Sequence, residues 1–241
     1  MEATVKHGAR ILALYAALAS NACGGSETAM PIDSSITKIA LTAVSTDESA
    51  VAVRSDSAAL SVEEAGLSLR ELEIMPCSSD AASIGTRDYP VDLAFDPPAL
   101  ASFESGVSDY CGMRLAIAPS PADDPPELAS LGLYVRGTRS DGLAFEIRST
   151  LSLDVELLAS SGAAFGQHLA VGFDLAAWFA GVDVDGASPT DGVVLIDASS
   201  NTDVLSAFEA NSASAVALYV DADRDGVLDA DELEPIATSA E

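Results

Sequence analysis

The sequence predicts an all-β fold, an antiparallel sandwich, and three observations carry that expectation. Apolar residues recur with period two through most of the chain. One Asp-Gly pair, Asp141-Gly142, separates two such runs, and a helical period is confined to two short segments. Period two places alternate side chains on opposite faces of a strand, so an apolar-polar alternation marks a strand with one face buried and one wet.

In chain order, the alternating runs are Lys38 to Ala43, Leu67 to Leu69, Leu72 to Ile74, Val91 to Phe95, Leu151 to Leu157 and Leu169 to Phe173. Near Arg70 and Glu71 the apolar positions pass from odd to even, as a β-bulge would make them. Cys111, Met113, Leu115 and Ile117 share one strand face, which predicts that Cys111 points into the core. Leu133 to Arg136 and Ala144 to Arg148 flank Ser140-Asp141-Gly142-Leu143, and Asp-Gly between alternating runs is the strongest short hairpin signal. Pro119 to Pro126 reads as a loop.

Two short helices are expected as caps over this core. Asp174 can accept from the first turn of Leu175 to Ala180, which Gly181 stops, and Asn201-Thr202-Asp203 opens a segment from Val204 that ends at Asn211. Trp178 and Phe179 in the first helix have apolar neighbours and are expected in the core, not as a sugar platform. The whole is an antiparallel β-sandwich of Greek-key, immunoglobulin-like layout with two capping helices.

The chain has 241 residues, 49% of them hydrophobic, enough to bury one sizeable core. The formal charge of −27 repels nucleic acid and anionic lipid headgroups, so neither is an expected partner. One domain is expected over residues 36–241, behind a tether of residues 23–35.

The N-terminus predicts export. Lys6 and Arg10 precede the apolar run Ile11 to Ala19, which has the length of a signal peptide and is too short to span a bilayer. Residues 1–22 are read as that signal. The following Ser20-Asn21-Ala22-Cys23-Gly24-Gly25-Ser26 resembles the cleavage box of bacterial lipoproteins, which implies that Cys23 is acylated and becomes the first residue. Gly24 after the cysteine, by resemblance to proteobacterial sorting, implies the outer membrane. Simple cleavage after Ala22, a small-x-small pattern, is the alternative, with a periplasmic or secreted product. With Cys23 set aside, Cys77 and Cys111 form an even pair that an oxidising compartment would join; two buried thiols are the alternative. A bridge between them, closing a loop of about 35 residues, would stabilise the fold by about 4 kcal/mol in the chain-entropy model.

The last acidic cluster carries the chemistry. From Asp221 to Glu232, acidic side chains fall at positions 1, 3, 5, 9 and 12 of a twelve-residue span, with Gly226 at position 6 and Leu228 at position 8. A hard cation needs such a density of carboxylate oxygens to replace its water shell. The span resembles an EF-hand loop. The resemblance implies a calcium ion held by Asp221, Asp223, Asp225, the carbonyl of Val227, Asp229 and Glu232, the last supplying two oxygens. The entering segment Ala215 to Val220 is short and apolar on both faces, which predicts a strand in place of the usual helix. Pro235 and the few residues after it predict no more than a short helical turn on the exit side. A weaker acidic echo, Asp183-Val184-Asp185-Gly186, lacks the later acids and reads as a turn.

As a whole the chain resembles bacterial lipoproteins with an uncharacterised all-β domain, on the strength of Cys23, Tyr110-Cys111-Gly112 and residues 221–232; this resemblance implies no reaction. The expected function is a surface- or periplasm-exposed, calcium-binding module that meets the membrane through its lipid anchor and binds or scaffolds an extracellular or envelope partner. One alternative is a structural envelope component without a specific ligand. The other is a secreted hydrolase, for which parts are missing. His168 is the only histidine beyond the signal, and no Gly-x-Ser-x-Gly elbow occurs. No catalytic residue is assigned, and a non-enzyme is expected.

Overall fold

The computed structural model describes residues 36–44, 52–54, 59–77, 84–93, 101–104, 109–119, 127–164, 168–223, 228–229 and 231–239, all within the unit Ser34–Glu241. The signal and tether with Cys23, the side chains of Asp225 and Val227, Phe95, and most of the proline-rich loop lie outside the described residues.

The fold is mostly β. In chain order it runs β1 (Ile36–Val44), β2 (Ala52–Arg54), β3 (Ala59–Pro76), β4 (Ile84–Asp92), β5 (Ala101–Glu104), β6 (Asp109–Ile117), β7 (Leu133–Thr138), β8 (Ala144–Ser149), β9 (Leu153–Ala164) and β10 (His168–Asp174). It continues with α1 (Leu175–Trp178), β11 (Val193–Ile196), α2 (Thr202–Ser212), β12 (Val216–Asp221) and β13 (Ala237–Thr238). A five-stranded sheet has the order β13-β12-β10-β1-β5, and an eight-stranded sheet the order β11-β8-β7-β3-β6-β9 with β2 and β4 also paired to β3. No helix among the described residues is long and apolar enough to cross a membrane.

The alternation finds its core. Leu67, Leu69, Leu72 and Ile74 of β3 are all buried, and between Leu69 and Glu71 the register against β6 slips, so the passage from odd to even positions is a bulge at Arg70. Inward residues of both sheets, among them Ile39, Val171 and Leu218 from one and Leu67, Leu115 and Ile147 from the other, belong to a single apolar cluster. Asp174 caps α1 by accepting from the backbone N–H of Ala177 at 3.0 Å, and Gly181 beyond it takes φ +68°. Trp178 is 1% exposed, edge-on to Phe173 and Phe208 with ring centroids 6.3 and 5.7 Å away, so it is core and not a platform.

Three expectations are corrected. The sheets are not wholly antiparallel: β1 runs parallel to β10 and β11 parallel to β8. Alternation fixes which face of a strand is inward and is silent on its neighbour, so pairings between distant segments are invisible to it. The strand β10 is buried on both faces over Leu169–Phe173, because it lies at the centre of its sheet and a C-terminal loop covers its outer side. Cys111 is half-buried and leaves the core face, since the β6 register slips between Tyr110 and Gly112 and brings Tyr110 inward instead.

Candidate metal site

The acidic loop begins where β12 ends. Asp221 is 4% exposed, held at the sheet rim directly across from His168 of β10. From there Ala222 and Asp223 turn outward into solvent. The loop's far end is a single turn in which the N–H of Glu232 donates to the carbonyl of Asp229 at 2.9 Å. No helix follows this single turn; Pro235 lacks the N–H that would continue one, and the chain returns to pair with β12 as β13.

That turn carries the Glu232 carboxylate back over the loop entrance. Oε1 accepts from the backbone N–H of Ala222 at 2.7 Å and of Asp223 at 3.3 Å, while Oε2 accepts from the N–H of Asp229 at 3.2 Å. Ligand oxygens of Asp221, Asp223 and Glu232 thereby come within 4.8 Å of one another. Oxygens facing each other across a calcium ion are about 5 Å apart, twice the usual calcium-oxygen distance, so the spacing fits such an ion. The donors are all carboxylate oxygens, which suit a hard cation and not a thiolate-seeking one.

Of the six expected ligands, the structure brings these three together. Asp229 is described, exposed, and outside the group of three, while Asp225 and Val227 lie outside the described residues. The loop is anchored from beneath by Leu228 at position 8, which is 9% exposed and clusters with Ala170 and Tyr219 on the outer side of the five-stranded sheet, beside Ala217 and Leu233. Burial pushes the Tyr219 hydroxyl above its ordinary pKa, with the negative charge of Asp174 adding to it, so this patch is firmly neutral.

The other candidate residues resolve as follows. Cys77 and Cys111 are bonded, with Cα atoms 4.7 Å apart, joining the end of β3 to the start of β6. The Asp183 echo is a turn whose Asp183 carboxylate accepts from Gly186 N–H at 2.9 Å, and Asp185 faces the Arg139 guanidinium at 3.5 Å. Arg139 also donates to the carbonyls of Val184 and Ala187, both at 3.2 Å, so a protein cation already serves that turn. Sequence reasoning missed the placement of His168 opposite Asp221. Only strand register puts them together, and no local pattern encodes it. On the outer face of the eight-stranded sheet, Glu73, Met75, Arg114, Asp154, Val155 and Glu156 line an open groove, across which Arg114 and Asp154 pair at 3.5 Å. No protein-family model, no curated protein and no solved structure matches this chain.

Proposed function

We propose that this is an exported, lipid-anchored β-domain that binds calcium through the loop Asp221 to Glu232 and acts as a binding or scaffold module in the cell envelope. The observation that carries the calcium reading is the gathering of Asp221, Asp223 and Glu232 oxygens within 4.8 Å at the end of a buried strand. Three carboxylates so close repel one another, and a cation between them would relieve that repulsion. Asp225, Asp229 and the Val227 carbonyl complete the shell in this reading, and Glu232 supplies two oxygens. The role is one of stabilisation, because Leu228 and Tyr219 tie the loop to the sheet and no partner loop is present among the described residues to move with it. Two sheets around one core support a sandwich of Greek-key kind. The disulfide is compatible with an oxidising compartment, and anchoring is assigned to Cys23 on its signal-like flank.

Calorimetric titration of chelator-stripped protein tests the calcium reading. A dissociation constant of roughly 0.1 to 1 mM, as in extracellular modules, is expected. At ten to a hundred times that constant, calcium should stabilise the fold by about 1.4 to 2.7 kcal/mol. Neither heat nor a rise in melting temperature at several millimolar calcium would reduce the loop to an acidic turn. Labelled fatty acid should appear on the wild type and not on Cys23→Ser, and its absence from both would replace anchoring with simple secretion.

A further inference from the structure

Past Glu232 the chain crosses from one sheet to the rim of the other. Ile236 N–H donates to the carbonyl of Leu218 at 2.8 Å, Ala237 and Thr238 pair with Leu218 and Ala217, and Ser239 N–H donates to the carbonyl of Val216 at 3.1 Å. Ser239 then forms an antiparallel bridge with Leu157 of β9, the outermost strand of the eight-stranded sheet. Ala237 is buried in the common core and Ile236 packs against it. Residues 233–239 thus join β12 of one sheet to the outermost strand of the other at the same place.

A strand of two residues holds itself poorly, so something must fix its near end. Glu232 does so: one carboxylate collects three backbone N–H groups, two from the loop entrance and one from the loop exit. We propose that residues 233–239 are a strap that closes the seam between the two sheets, and that Glu232 is its latch. With the latch undone the strap leaves the β9 rim, and the freed backbone at Leu157 adjoins Leu158, the one large hydrophobic side chain exposed among the described residues, at 55%. An open strand edge beside an apolar side chain invites pairing with another chain, so the strap also protects against self-association. The inference rests on the loop fold of the proposed calcium site and needs no cation, since the latch contacts are to backbone amides.

Hydrogen exchange read by mass spectrometry, with chelator present throughout, tests it on the full chain. In Glu232→Ala, peptides covering 233–239 and the β9 segment around Leu157 should exchange about tenfold faster, while β3 peptides keep their protection. Asp231→Asn removes an exposed neighbouring carboxylate and leaves the latch, so it should match the wild type. Glu232→Gln keeps one acceptor oxygen, and a smaller rise at the same peptides is expected should the alanine variant fail to fold. Wild-type protection of 233–239 in both Glu232 variants overturns the latch, as does loss of protection there only together with β3. Because calcium is excluded, a failed calcium titration leaves these outcomes unaltered and the two ideas separable.

Discussion

Ser149 and Glu209 are joined by a 2.6 Å hydrogen bond, with the buried β8 hydroxyl donating to the carboxylate on α2. The same hydroxyl accepts from the N–H of Leu151 at 3.0 Å, so one oxygen fixes both the helix and the turn after the strand. Ser149→Ala should therefore cost about 1 to 3 kcal/mol, the range for leaving buried groups without their partner. Denaturant unfolding measures it. A change below about 0.5 kcal/mol would mean that the remaining contacts of α2, the buried Leu205 and Phe208 and the Asn211 amide on the Trp178 and Ala180 carbonyls, hold it without this bond.

The disulfide closes the long β3–β6 connection and should contribute about 2 to 4 kcal/mol, mainly by restricting the unfolded chain. The Cys77→Ala, Cys111→Ala double variant, compared with wild type in urea, reads this directly. A midpoint unmoved by the double substitution would show that β-pairing alone holds those strands.

Among loop variants, Glu232→Gln should weaken calcium binding by about tenfold or more, since the position is expected to give two oxygens. Asp231→Asn should change it by no more than about twofold, because Asp231 is exposed at a non-ligand position and contributes only long-range charge. Equal losses in the two variants would point to diffuse attraction to an acidic surface and away from a defined shell.

The hairpin tip carries a pH signature. The N–H of Leu143 and the Arg139 guanidinium hold the Asp141 carboxyl below its ordinary pKa. A depressed carboxylate stabilises the fold above its unfolded pKa, and that contribution is lost as pH falls through the folded value. Carbon-detected NMR titration should place the Asp141 midpoint below that of a free aspartate in wild type and return it toward that value in Arg139→Gln.

Gly137 has no room for a side chain. A Cβ there would meet the carbonyl oxygen of Ser61 and the ring of Phe145, which is buried. Gly137→Ala should destabilise by about 1 to 3 kcal/mol, as overpacking does, whereas Gly142→Ala meets open space and is opposed by its φ of +84° alone. Thermal unfolding of the pair separates the two causes. Were the alanine tolerated at 137, β7 and β3 would have to sit farther apart than they do.

Much of this architecture is legible where one residue's chemistry decides the outcome locally. Asp174 and Gly181 delimit α1, Asp141-Gly142 turns the hairpin, and the step at Arg70 is a bulge, all of which short-range pattern encodes. The strands β2, β5, β11 and β13 escape such reading because they span two to four residues and are formed by their neighbours. Cys111 misleads for a related reason: the slip beside it depends on the partner strand, not on its own alternation. At the loop, spacing names the acids, but the return of Glu232 onto Ala222 depends on the turn at Asp229.

The parallel contact between β1 and β10 has a consequence in time. Ile39 finds Leu169, and β10 in turn needs β12, so the five-stranded sheet has no interior until β12 is available. Pairings so far apart in sequence bear the full entropy of loop closure before they return any energy, which makes them slow. The hairpin of β7 and β8 can form at once, whereas β1 can pair early only with the short β5 and must wait for β10 along its other edge. A nascent chain of this kind cannot complete the sheet until β12 has emerged, and it leaves one edge of its first strand open to chaperones or to misassembly during that delay.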